Sequence, residues 1–253
     1  MHRYFIFFSY DGTAYHGWQF QPNADSVQAR LENALATTLR QPTGVVGVGR
    51  TDTGVHAKCM AAHFDSEMPL DTTHLAFKLN CLLPKDIAVL SVREVQPDAH
   101  ARFSAVSRTY RYYVTTHKNP FNDAYACRLY FSLNLEQMNQ AAASLLQHTE
   151  FGCFCKAHSD NKTNICHISR AVWTEAAPGE YIFEIRSDRF LRNMVRAIVG
   201  TLFEVGKGKI SLEQFQSVLA SGNRSQAGDS VPAKGLFLEE VTYPEAIFDV
   251  IQP

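Results

Sequence analysis

Residues 170–205 read RAVWTEAAPGEYIFEIRSDRFLRNMVRAIVGTLFEV, and this stretch decides the fold class. Strands are predicted near 170–175 and 180–186, with no helix between them. A helix is predicted from about residue 189 to residue 205, because apolar residues recur there with a helical period. Strands that follow one another without a helix indicate an α+β fold with largely antiparallel sheets.

The rest of the chain is also predicted to contain both strands and helices. Further strands are predicted at 4–10, 45–50, 59–64, 87–95, 108–116 and 235–243, and further helices at 27–39, 72–80, 135–147 and from Ser211. Asp25 and Gln28 are predicted to form a capping box at the start of the helix at 27–39. We expect two mixed α/β domains, residues 1–102 and residues 103–253.

Length and composition are those of a globular protein. The chain has 253 residues, of which 45% are hydrophobic and 19% are charged, and this excludes a disordered or collagen-like chain. No apolar run is long enough to span a membrane, and the N-terminal MHRYFIFFSYDG is predicted to be a strand and not a signal peptide. The six cysteines are therefore expected to be reduced thiols in the cytoplasm.

A zinc site is the alternative use of these cysteines. Cys153, Cys155, His158, Cys166 and His167 could supply its ligands. Their spacing does not match that of structural zinc sites, so we expect no metal.

The distribution of charge is uneven although the net charge is only −1. Residues 100–118 carry four Lys or Arg and no acid, and residues 186–209 carry six against two acids. Two basic stretches indicate a patch that faces an anionic partner. A solvated surface, with acids supplied from elsewhere in the fold, is an equally good interpretation of the charges alone.

The segment GRTDTGVHA, residues 49–57, is the most unusual in the chain. It places Asp52 in a glycine-rich loop that leaves a strand, a common location for catalytic groups. The alternative is a turn in which the aspartate caps its own backbone. Trp18, His56 and His63 could also be functional, but a packing role for the tryptophan and ordinary polar roles for the histidines are favoured.

Six segments occur in a specific order: YDGTAYHGWQFQP (10–22), VQARLENAL (27–35), GRTDTGVHA (49–57), HARFSA (100–105) with RTYRYY (108–113), FLRNMVRAIVG (190–200) and PAKGLFL (232–238). In this order and spacing they resemble the tRNA pseudouridine synthase A family. The resemblance extends from about Tyr4 to Tyr243, and the combination is highly specific.

The resemblance implies a role for particular residues. Asp52 matches the essential carboxylate of the family, and Arg196 matches the arginine that pairs with it. Tyr110 matches the tyrosine that stacks on the target uracil, Leu236 an apolar residue that packs against this base, and Arg50 an arginine that helps to hold the flipped nucleotide. Arg189 and Arg192 are expected to share a helical stripe with Arg196 and to contact phosphates.

The resemblance also implies a fold, a substrate and an assembly. It implies two α+β domains that meet at a central active-site cleft, and conversion of uridines 38, 39 and 40 to pseudouridine in the anticodon stem-loop of tRNA. It implies a homodimer whose tRNA spans both subunits. The reaction needs no metal, redox cofactor or energy donor, and the sequence contains no P-loop or dinucleotide motif. An RNA-binding protein without activity, and a synthase for another RNA position, are the rival hypotheses.

Overall fold

The computed structural model describes residues 1–156, 159 and 161–250. Within them the chain forms two compact units. The first unit contains Met1–Ser107 together with the chain from Leu238 onward, and the second contains Arg108–Phe237. The boundary expected between residues 102 and 103 stays a prediction.

Helices and strands follow the predicted mixture. In chain order they are β1 (His2–Tyr10), α1 (Val27–Leu39), β2 (Val46–Gly47), β3 (His56–Ser66), α2 (Thr72–Leu82), β4 (Ile87–Val95), β5 (Ser107–Thr115), β6 (Cys127–Arg128), α3 (Leu135–Ser144), β7 (Ile168–Ala177), β8 (Glu180–Ser187), α4 (Met194–Gly206), α5 (Leu212–Ser221) and β9 (Leu236–Thr242).

The first unit is built on a sheet with the strand order β4-β1-β3-β9, and β2 pairs with β3. The strand β1 is antiparallel to both of its neighbours. It is apolar on both faces, as expected for a central strand. Tyr4 and Phe8 are buried on one face, while Phe5 on the other packs edge-on against Tyr243 at 5.1 Å. The helix α1 adds Leu31 and Leu35 to this core.

The helix α1 begins at Val27 as predicted, but its N-cap differs from the prediction by one residue. Ser26 is the N-cap, and its hydroxyl accepts a hydrogen bond from the backbone N–H of Ala29. Asp25 instead forms an ion pair with Arg30 at 2.5 Å. The predicted Asp25–Gln28 capping box is therefore wrong, because the aspartate has a charged partner within reach and a serine follows it.

The second unit contains the antiparallel sheet β5-β8-β7, with β6 parallel to β5. The direct connection of β7 to β8 confirms the strand pair predicted from residues 170–186. Trp173 on β7 packs against Phe183 of β8 and Phe203 of α4, at ring separations of 5.0 and 5.7 Å. Together with the sheet of the first unit, this confirms a mixed α/β fold with largely antiparallel strands.

The helix α4 begins later than predicted. It runs from Met194, and Asn193 before it has a left-handed backbone with φ 66°. Residues 189–193 are not helical, and the left-handed Asn193 cannot extend the right-handed helix towards them. The expectation that Arg189 and Arg192 share a helical stripe with Arg196 is wrong.

Within the described residues, no helix is long and apolar enough to cross a membrane. The cysteines are all free thiols, and burial raises the pKa of Cys153 and of Cys166 to about 12. His158, one of the five ligands of the alternative zinc site, lies outside the described residues. Among the residues that are described, no group of three or more His, Cys, Asp or Glu could hold a metal ion.

Candidate active site

The aspartate loop, residues 49–57, connects β2 to the start of β3 in the first unit. Asp52 is half-buried within it. The backbone N–H of Val55 donates to the carbonyl of Asp52 at 3.1 Å and closes a turn. Gly54 within this turn has φ +77°, a conformation that favours glycine. The loop is therefore a defined turn that carries Asp52 on a backbone of fixed shape.

The segment of residues 10–18 packs against the backbone of the aspartate loop. A Cβ on Gly12 would lie 2.0 Å from the carbonyl oxygen of Val55, and a Cβ on Gly17 would lie 2.3 Å from that of Thr51. The backbone N–H of Gly54 donates to the carbonyl of Tyr15 at 3.3 Å. Only glycine permits so close an approach, so the glycines of this segment are needed to seat the loop.

Two histidines assigned ordinary polar roles are buried in the first unit. His56 is 1% exposed, and its Nδ1 accepts a hydrogen bond from the backbone N–H of Gly12 at 3.0 Å. His63 is 6% exposed, and its Nδ1 accepts from the backbone N–H of Ala101 at 3.1 Å. Both rings therefore join distant parts of the chain, which a single sequence cannot reveal.

Tyr110 lies on β5 in the second unit, opposite Ile185 of β8. Its half-buried ring meets the edge of Phe190 with a centroid separation of 5.1 Å and an interplanar angle of 87°. The next tyrosine on the same face, Tyr112, is fully buried. The face of β5 that carries alternate residues therefore runs from the buried ring of Tyr112 to the partly exposed ring of Tyr110.

Arg196 lies in the first turn of α4 and is fixed by a neighbouring backbone segment. Its Nε donates to the carbonyl of Val231 at 2.8 Å, and its own carbonyl accepts from the N–H of Val231 at 3.2 Å. The segment approaches closely because residue 200 is glycine: a Cβ there would lie 1.7 Å from the carbonyl oxygen of Asp229. These contacts orient the guanidinium, since its Nε bond points to a fixed carbonyl.

Leu236 begins β9 and is 5% exposed. The preceding Gly235 lies against Tyr112, whose hydroxyl donates to the carbonyl of Pro232 at 2.9 Å. Burial, more than any other cause, raises the pKa of Tyr112, so this hydroxyl remains a proton donor at neutral pH. The backbone that leads to Leu236 is thus held at both Val231 and Pro232.

Sequence comparisons connect this arrangement to known proteins. The profile of the tRNA pseudouridine synthase family matches residues 141–244. The chain is 58% identical to tRNA pseudouridine synthase A of Bacteroides thetaiotaomicron over 98% of this chain and 93% of that protein. It is 55% identical to the protein of the same name in Bacteroides fragilis, over 98% of both chains. It is 41% identical to that of Bacillus subtilis, over 93% of this chain and 96% of that protein.

The chain belongs to the tRNA pseudouridine synthase A family. It is an enzyme of the isomerase class. This confirms the resemblance drawn from the six sequence segments.

The remaining predicted site residues of this synthase are three arginines, which differ in exposure and in their contacts. Arg50 is exposed in the aspartate loop. Arg192 is exposed just before α4. Arg189 is half-buried, and its guanidinium donates to the carbonyls of Thr163 and Ile165, both at 3.3 Å. Arg189 is therefore engaged in holding the chain at residues 163–165.

Acids pair with several cations of the two basic stretches. Arg111 contacts Glu184 at 2.7 Å. Lys207 and Lys209 contact Glu204 at 2.9 and 3.1 Å. Burial acts to raise the pKa of Glu184, but hydrogen bonds from Arg111 and Arg170 lower it overall, and the hydrogen bond from Lys207 is the main cause that lowers the pKa of Glu204. Arg111 therefore has an acid from elsewhere in the fold as its partner, whereas Lys207 and Lys209 pair with Glu204 of their own stretch.

Proposed function

We propose that the protein converts uridine to pseudouridine at positions 38, 39 and 40 in the anticodon stem-loop of tRNA, with Asp52 as the essential carboxylate. Family membership supports the reaction and the class of RNA. The observation that carries the assignment of Asp52 is the aspartate loop, in which a half-buried carboxylate stands on a turn held by two glycine contacts.

The reaction is an isomerisation. The bond between ribose C1′ and uracil N1 breaks, the base turns over, and C1′ bonds to C5 while the C5 proton is lost and N1 gains a proton. No electrons enter or leave. Glycosidic chemistry of this kind uses a carboxylate close to the sugar, and Asp52 has that role.

Arg196 is proposed to pair with Asp52 and to keep it ionised. Since Nε of Arg196 is engaged with the carbonyl of Val231, the two terminal nitrogens can face a carboxylate as a fork. This proposal requires that the two units form one active-site cleft, with Asp52 on the first and Arg196 on the second.

The target base must leave its stack to reach the carboxylate. Tyr110 is proposed to offer an aromatic face to the flipped uracil, and Leu236 an apolar wall. Arg50 is exposed beside Asp52 and is proposed to hold the flipped nucleotide. Arg192 and Arg189 are proposed to contact phosphates.

The protein is proposed to act as a homodimer in the cytoplasm. A tRNA that spans two subunits would meet the basic patches of both, and this accounts for an RNA substrate in a chain with a net charge of −1.

The decisive experiment is Asp52→Asn, which keeps the shape of the side chain and removes its charge. Pseudouridine formation on tRNA should fall by more than roughly 1,000-fold, while the Kd for tRNA changes by no more than a few-fold. The exposed Asp98 of the same unit offers a matched control, and Asp98→Asn should keep wild-type activity. Turnover by Asp52→Asn within a few-fold of wild type would refute the assignment.

A map of tRNA modification in cells with and without the protein tests the substrate. Loss of pseudouridine at 38, 39 and 40 is the expected result. Loss at a different position would identify a synthase of other specificity. An unchanged map, with tRNA binding intact, would support the RNA-binding protein without activity.

A further inference from the structure

We propose that Thr51 is a positioning residue that sets the place of Asp52 through its side-chain hydroxyl. The inference rests on the proposed function, since it assigns a role to the residue before the essential carboxylate. Thr51 is not a catalytic residue in this account, because it acts through Asp52.

The hydroxyl of Thr51 joins two distant parts of the chain. Its Oγ1 accepts a hydrogen bond from the backbone N–H of Trp18 at 3.1 Å. It also lies 2.9 Å from the hydroxyl of Tyr10, and either oxygen can donate in that contact. Thr51 is half-buried, so these two bonds hold an oxygen that water only partly reaches.

Both partners of Thr51 are fixed in the core of the first unit. Tyr10 is the last residue of β1 and is 4% exposed. Trp18 is 3% exposed and packs against Phe8 with a ring separation of 5.4 Å. A Cβ on Gly47 would lie 2.5 Å from the indole nitrogen, so the indole occupies the space that this glycine leaves. Trp18 therefore has the packing role that its sequence context favoured. Because this residue is fixed in the core, its backbone N–H gives the Thr51 hydroxyl a fixed partner.

The backbone of the loop is fixed on both sides of Asp52. On the N-terminal side, the carbonyl of Thr51 lies against Gly17. On the C-terminal side, the carbonyl of Val55 lies against Gly12, and Gly54 donates to Tyr15. One planar peptide group joins Thr51 to Asp52, so a shift of the first residue moves the second. A displacement of about 1 Å in a reacting group can cost roughly 100-fold in rate.

Thr51→Val is the test, because valine has nearly the same shape and cannot accept the Trp18 N–H. We expect the single-turnover rate constant at saturating tRNA to fall about 10- to 100-fold. The Kd for tRNA should stay within two-fold of wild type. Thr51→Ser restores the hydroxyl and should recover the rate constant to within a few-fold.

Thr53 provides a matched control. It is a threonine on the other side of Asp52 and is exposed. Thr53→Val should keep the wild-type rate constant. Tyr10→Phe removes one of the two contacts of the Thr51 hydroxyl and should give a smaller loss, about three- to ten-fold.

A wild-type rate constant for Thr51→Val would overturn the proposal. So would a Thr51→Ser variant as slow as Thr51→Val, since the hydroxyl would then not be the deciding group. If Thr51→Val does not fold, Tyr10→Phe decides, and an unchanged rate constant in that variant would overturn the proposal. Failure of the proposed function is distinguishable from failure of this proposal. In that case wild type would not form pseudouridine, or Asp52→Asn would keep its activity, whatever the Thr51 variants do.

Discussion

The aspartate loop and residues 189–196 fix their candidate catalytic residues in different ways. The backbone that carries Asp52 is held through its neighbours: Thr51 bonds to Tyr10 and Trp18, and glycines support the loop on both sides. Arg196 is held directly, because its own Nε donates to the carbonyl of Val231. The hydroxyl of Thr51 and the glycine contacts shape the loop around Asp52, whereas part of the Arg196 guanidinium is itself used in holding Arg196.

This difference predicts how each region responds to a conservative substitution. In the aspartate loop, the proposed reacting group and the proposed positioning group are on separate residues and can be changed separately. In Arg196 both proposed roles belong to the same side chain, so one substitution would remove both. The following predictions test that contrast.

Arg196→Lys should produce the largest effect of the changes predicted here. Lysine keeps the charge, but it is a single point donor and cannot bond Val231 and present a fork to a carboxylate at once. We expect the single-turnover rate constant to fall by about 100- to 1,000-fold. Arg170→Lys is the matched control, since Arg170 is an exposed arginine that pairs with Glu184, and it should leave the rate constant unchanged. A rate constant within three-fold of wild type for Arg196→Lys would show that the fork is not needed.

We expect acid to lower the free energy of unfolding of the first unit, which carries Asp52, because His63 is buried there. Burial lowers the pKa of His63 to about 4, with smaller contributions from the charges of His100 and Arg3, while Asp65 opposes the shift. An unfolded histidine has a pKa of about 6.5. Between these values the unfolded state binds more protons, so the free energy of unfolding falls as the pH drops from about 6.5 towards 4, by roughly 1–3 kcal/mol.

Urea denaturation of the full chain at pH 7, 6 and 5 measures this effect. His63→Gln should flatten the dependence between pH 6.5 and 5, since it removes the group that titrates. Hydrogen exchange sharpens the comparison, because amides of β3 should lose more protection on acidification than amides of α4. The same pH dependence in His63→Gln as in wild type would contradict the assignment.

The smallest effect is expected at the two arginines before α4. Arg192 is exposed, so Arg192→Ala should lower the slope of log K for tRNA against log salt by about 0.7–0.9. Arg189 is engaged with the carbonyls of Thr163 and Ile165, so Arg189→Ala should change the slope less. It should instead reduce the free energy of unfolding by about 1 kcal/mol. Equal changes of slope in the two variants would show that Arg189 contacts RNA as much as Arg192 does.

The sequence alone determined the elements of this protein and the position of its unusual loop. The direct succession of β7 and β8 followed from local alternation, and the buried stripe of α1 from its helical period. Such patterns depend on residues a few positions apart, so they are present in any single sequence. The ordered segments around Asp52, Tyr110 and Arg196 likewise sufficed to identify the family.

Only the tertiary structure decided what holds the candidate site. Thr51 meets Tyr10 and Trp18 across 41 and 33 residues of chain, and Arg196 meets Val231 across 35. No periodicity encodes contacts at such distances. Two wrong predictions have the same origin. The capping box at Asp25 fails because Asp25 pairs with Arg30 and Ser26 caps α1. The early start of α4 fails because Asn193 has a left-handed backbone. In each case a specific contact or backbone conformation overrode a local preference, which acts only as a weak prior once the chain is packed.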